Sequence, residues 1–173
     1  MNKMKIAFLV TGSGGSFYCS NCYRDMLYFR AVKLADGIEA TAIPLYLPPE
    51  KEYIESGFDT NVFFGAISLF IREKVHFLEQ MPSFVDKILD APPLLRLAAK
   101  RAGTTSPEGM EDVTLNMIDG NHASREKEVG RLVSYLTAGG KPDIIHLSNA
   151  LIIGLARQIK RLTDVRIVCS LQN

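Results

Sequence analysis

The sequence is short of several things at once. No stretch of about 18 apolar residues occurs anywhere in its 173 residues, so no segment is long enough to cross a bilayer. Charge of neither sign dominates. The 20 Lys and Arg against 19 Asp and Glu leave a formal charge of +1, which argues against both a polyanion binder and a highly acidic protein. No cluster of Lys and Arg interleaved with aromatics stands out, and nucleic acid is therefore not an expected partner. Cysteine is scarce and odd in number: three, in a chain without a secretory signal, fit reduced thiols rather than a disulfide framework. Lys3 and Lys5 do precede an apolar run at 6–10, but a signal-peptide core needs about 7–15 such residues. The expected location is cytoplasmic. Internal repeats and low-complexity tracts are also missing. With 47% hydrophobic and 23% charged residues, the chain has the balance of one ordinary globular domain.

What is present alternates strand with helix. Residues 5–10 (KIAFLV) are a short bounded apolar run, the pattern of a strand buried on both faces. A glycine-rich turn follows, and then a helix over about 21–35 with Leu27, Ala31 and Leu34 at helical spacing, stopped by Asp36-Gly37. Residues 39–45 form a second strand, ended by prolines, and 61–64 a third. Strand, turn, helix and strand in that order make a βαβ unit, which implies a parallel sheet. Helical segments then read at 67–80, 83–89, 94–102, 108–118 and 124–136. This is far longer than a βα connection needs, so about 66–138 is taken as a helical insertion. The α/β pattern returns with a strand at 144–147 (IIHL). A helix over 150–162 follows, striped by Leu151, Leu155, Ile159 and Leu162, and then a strand at 166–171. The expected fold is α/β: one domain, 1–173, with an open, mainly parallel Rossmann-like sheet, flanking helices and the insertion. The sequence stops just after a strand, where open α/β sheets carry ligand-binding loops, and it reads as cut there.

Three groups of residues carry chemistry. Gly12, Gly14 and Gly15 sit in TGSGGSFYCSNCYRD (11–25), between the first strand and the first helix. Backbone can approach a ligand closely there, and the helix N-terminus offers N–H groups to a phosphate or sugar oxygen. Phe17 breaks the G-x-G-x-x-G pattern and no Gly-Lys-Ser/Thr ending follows, which argues against a dinucleotide enzyme or an NTPase. A purely structural turn is the competing reading. Cys19 and Cys22 form a C-x-x-C pair near a helix start, a redox arrangement; a zinc site would need two more ligands. His76, His122 and His146 are scattered and none pairs with a further cysteine, so Cys22 is read as packing under the helix and Cys19 as filling the loop. His146 ends a buried strand and faces either the crevice where α/β ligands bind or the core. Asn149 caps the next helix, a role compatible with touching a ligand. His76 is read as packing; His122 lies in a turn that could reach a substrate. The apolar, mildly basic stretch 66–102 is read as core packing, with contact at a membrane surface left open.

GGSFYCSNCYRD, IPLYLP, KPDIIHLSNALIIGLARQIK and VRIVCSLQN, in that order, resemble the N-terminal domain of a branch of the family-4 glycosyltransferases. These are retaining, nucleotide-sugar-dependent enzymes of the GT-B fold. The resemblance covers both ends of the chain and is weaker over about 50–105. It implies two Rossmann-like domains with the active site between them, of which this chain is the acceptor-side half. A C-terminal domain of the same chain would bind the donor and supply a Glu-x7-Glu pair, so residues 1–173 alone are expected to be inactive. The intact enzyme would transfer a hexosyl group to a carbohydrate or lipid-linked acceptor. The resemblance implies that Gly14, Gly15 and Ser16 lie near the donor phosphates or the reacting sugar. His146 would point into the cleft as the catalytic candidate, with Asn149 and Asn173 as further substrate- or donor-contacting residues. It implies no cofactor in this domain beyond the nucleotide-sugar substrate and no metal, and the sequence has no D-x-D pair. Two rivals stand beside it. One is a separate Rossmann-like module binding a sugar or phosphate, or a subunit of a split enzyme. The other is a C-x-x-C redox or metal protein.

Overall fold

A computed structural model describes residues 3–11, 20–49, 51–64, 115, 118–119 and 123–171. Four strands form one open, all-parallel sheet: β1 (Met4–Val10), β2 (Ile38–Pro44), β3 (Ile144–Leu147) and β4 (Arg166–Cys169). Their spatial order is β2-β1-β3-β4. The fold is α/β and Rossmann-like. Among the described residues the α-helices are α1 (Ser20–Lys33), α2 (Lys51–Glu55), α3 (Ala123–Ala138) and α4 (Gly154–Leu162).

The apolar run of β1 is continuous because helices cover both faces of the sheet. Successive side chains alternate between those faces. Phe8 and Val10 meet Met26 and Phe29 of α1, together with Ala42, Tyr53 and Phe58. Ala7 and Leu9 join Ile43, Ile145 and Leu147 on the other face, against Val129 and Leu132 of α3 and Leu155 and Ile159 of α4. Helix α3 was assigned by its sequence to the insertion, and here it lies in the layer packed on the sheet. The rest of 66–122, apart from Leu115, Ile118 and Asp119, falls outside the described residues, as does His76.

Three local expectations change. Helix α1 buries Cys22, Asp25, Met26 and Phe29, whereas Leu27 and Leu34, expected to face inward, are 45% and 84% exposed. The helix carries apolar residues on two faces, and the sheet takes the one bearing Phe29. The helix expected over 150–162 is instead a 3-10 turn, Ala150–Ile152, followed by α4. That break rotates the stripe, so Ile152, Leu155 and Ile159 are buried while Leu151 and Leu162 are exposed. Residues 61–64 form no strand. The Asp59 carboxylate accepts the Asn61 N–H at 2.9 Å and closes a turn, and Phe64 adopts φ 53°, outside the extended region. Phe63 and Phe64 still bury their rings in the core. The helix stop was read correctly: Gly37, at φ 77°, lets its carbonyl turn back to accept the Met4 N–H at 2.8 Å.

Candidate functional site

The strand order decides where a ligand would sit. From β1 the chain moves to β2 on one side, then crosses back over to β3 on the other side of β1. The order therefore reverses between β1 and β3. In open α/β sheets the crevice beyond the carboxyl ends of the strands at such a switch point is the usual ligand site. The two edges of that crevice are joined where the Ser148 N–H donates to the Leu9 carbonyl at 3.0 Å. Ser148 itself is buried.

His146 stands on β3 opposite Phe8 of β1 and Val168 of β4. It shares their face, beneath α1, and is 6% exposed. Its ring lies 4.8 Å from the Phe8 ring and 5.5 Å from that of Tyr28, the latter edge-on. Nε2 is 2.8 Å from Ser170 Oγ. Nδ1 is buried and has no hydrogen-bond partner among the described residues. Burial first, and the nearby charge of Arg24 second, hold the imidazole pKa below its ordinary 6.5. The ring is thus neutral at pH 7, fit to donate or accept a hydrogen bond but not to present a standing positive charge. The ring is packed like a core residue, and it stands at the carboxyl edge of the sheet.

Asn149 caps as expected. At φ −153° and ψ 167° it is extended, and its Oδ1 accepts the Leu151 N–H at 3.0 Å. That bond commits the carboxamide oxygen to the 3-10 turn on the α4 side. His146 lies on the α1 side, so the two share the carboxyl end of β3 but point to different layers. Gly14, Gly15, Ser16 and Asn173 lie outside the described residues, as do Cys19 and His122. Cys22 is buried on the inner face of α1, as its packing role requires. Among the described residues no group of three or more His, Cys, Asp or Glu could hold a metal ion. Nor is any helix there long and apolar enough to cross a membrane.

Sequence reading missed Ser170, Tyr28 and Arg24. Ser170 was absorbed into a strand drawn to residue 171. Its signal was available only through register: His146 pairs with Val168, so the residue two beyond Val168 shares the histidine's face. A groove of about 320 Å³ elsewhere is lined by Lys5, Glu39, Thr41, Tyr135 and Gly139 among others. It opens beside the amino-terminal half of β1, on the face opposite His146, and forms no part of this site.

Comparison with family profiles, with curated proteins and with solved structures finds no match for the chain.

Proposed function

We propose that this chain is the acceptor-side, N-terminal half of a retaining GT-B glycosyltransferase. Its intact form would move a hexosyl group from a nucleotide-sugar to a carbohydrate or lipid-linked acceptor. The observation that carries the reading is His146: a neutral, buried imidazole at the carboxyl edge of β3, beside the point where the strand order reverses. A neutral ring suits a polyol, whose hydroxyls both donate and accept, without attracting competing anions. The sequence resemblance supplies the rest. In it, backbone N–H groups of the 12–15 loop help stabilise the leaving diphosphate, the charge that must be met in glycosyl transfer. The donor nucleotide is held mainly by a second domain of the same polypeptide, and the C-x-x-C pair has no chemical part.

The test uses the polypeptide as it occurs in its source cells, immunoprecipitated with an antibody to this domain and weighed by intact-mass spectrometry. It is then incubated with a panel of labelled nucleotide-sugars. A species about twice the mass of this chain, turning over one donor with retention of anomeric configuration, is the expected result. A native species no heavier than the chain, or one that binds sugars or phosphate without turnover, would overturn the proposal in favour of a binding module. Loss of all function on replacing Cys19 and Cys22 with serine in a folded product would favour a redox protein instead.

A further inference from the structure

The contact between His146 and Ser170 joins residues 24 apart in sequence, and both ends of it are fixed. Ser170 is anchored by its own backbone, whose N–H donates to the Leu147 carbonyl at 2.9 Å. The imidazole is clamped between Phe8 and Tyr28. Only the position of the proton is left to chemistry. A neutral imidazole carries it on one nitrogen, and a serine hydroxyl can either accept from Nε2–H or donate to a bare Nε2. The two choices differ at the other nitrogen. If Ser170 donated, the proton would sit on Nδ1, a buried N–H with nothing among the described residues to receive it. If Ser170 accepts, Nδ1 is a buried lone pair. Orphaned buried N–H groups are the rarer and costlier of the two, so the second arrangement is favoured.

We infer that Ser170 is a positioning residue for His146: it holds the ring in one orientation with the proton on Nε2, leaving Nδ1 as a buried, unprotonated nitrogen. That nitrogen is itself buried, so the protonation pattern is a property of the unliganded chain, and it rests on the proposed role of His146 only in calling the histidine functional. Fixing the tautomer of a functional histidine through a partner on its other nitrogen is a recurrent device in enzyme sites.

Nitrogen-15 NMR of the 173-residue chain, with histidine labelled in the ring, reads the pattern without any ligand. The expected spectrum at pH 7.5 shows Nε2 coupled to a proton and Nδ1 at the position of an unprotonated imidazole nitrogen. Ser170→Ala should move both His146 signals toward the values of a ring exchanging between tautomers, and Ser170→Thr, which keeps the hydroxyl, should restore them. A proton on Nδ1 in the wild-type chain would overturn the inference. So would signals unchanged in a folded Ser170→Ala variant. The wild-type spectrum decides the matter even where Ser170→Ala does not fold. Because no substrate enters, a failure here leaves the glycosyltransferase proposal standing, and absence of sugar transfer leaves this inference untouched.

Discussion

Truncating Phe29 to alanine should cost far more than truncating Leu27, two positions away on the same helix. Phe29 is fully buried. Its ring meets Phe8 at 5.6 Å and Phe58 at 5.1 Å, both nearly perpendicular, and the Lys33 ammonium lies 5.7 Å from its centroid. Phe→Ala in a core costs about 3–5 kcal/mol. Two edge-to-face pairs, each worth about 0.5–1.5 kcal/mol beyond area, place this site in the upper part of that range. With a urea slope of about 2 kcal/mol per molar, a loss of about 4 kcal/mol lowers the midpoint by about 2 M. Leu27 is nearly half exposed, so Leu27→Ala should stay within about 0.5 kcal/mol, a midpoint shift near 0.25 M. Phe29→Leu, which keeps most of the volume, should cost about 1.5 kcal/mol or less. Far-UV circular dichroism and tyrosine emission report the transition, since the chain has no tryptophan. A larger loss for Leu27→Ala than for Phe29→Ala would refute the register of α1 and restore the face read from the sequence.

Further expectations concern the carboxyl edge of the sheet and its supports. The depressed pKa of His146 means that the unfolded chain takes up a proton near pH 6.5 which the folded ring refuses until lower pH. Stability is therefore complete above that value. It falls as pH drops below it, by at most about 1.4 kcal/mol per pH unit, until the folded pKa is reached. His146→Gln should flatten this part of the profile in denaturation midpoints measured from pH 7.5 to 4.5; superimposable profiles would count against a buried neutral ring. Asn149→Ala should destabilise by about 1 kcal/mol, and Asn149→Asp should recover most of it, because either side-chain oxygen can accept the Leu151 N–H. Gly140 sits at φ 95°, and an added Cβ would lie 2.7 Å from Lys5 Nζ. Gly140→Ala should thus lower stability by about 1–2 kcal/mol, while Gly139→Ala, facing open space, should not; equal effects would argue against the assigned turn.

The four strands of the sheet were legible in this sequence and helix faces were less so, for a physical reason. KIAFLV and IIHL are buried on both sides, so continuous apolarity is itself the signal and no phase need be chosen. A helix needs a phase. In α1, Met26 and Phe29 compete with Leu27, Ala31 and Leu34 for the inner face, and only the sheet decides between them. In 150–162, a single 3-10 turn changes the phase without leaving a mark in composition. Residues 61–64 carry strand-forming side chains, but Asp59 captures the backbone of Asn61 and the following aromatics enter the core from a bend. His146 and Asn149 could be placed at the end of β3 from sequence because the end of a buried strand is a local feature. Ser170 could not, because its meaning depends on register across two strands. The glycine loop was equally prominent in the sequence, and its residues 12–19 lie outside the described part of the structure.

The central strand binds its two neighbours at very different times. β1 can pair with β2 as soon as some 44 residues exist, and the α1 layer can close over them. Its other edge waits for β3. Lys5 and Asp143 hold each other twice there, the Asp143 N–H on the Lys5 carbonyl at 2.9 Å and the Lys5 N–H on the Asp143 carboxylate at 2.8 Å, across 138 positions. At about 5–20 residues per second, a ribosome takes roughly 7–28 s to make that stretch. Through this interval the nascent chain carries an unpaired β1 edge flanked by Ala7, Leu9 and Ile43, a template for any passing strand. Such long-range parallel pairing folds slowly once it can begin. The yield of folded protein in a cell then depends on elongation rate and on what shields that edge, and slowing translation before residue 144 would lengthen the exposure rather than relieve it.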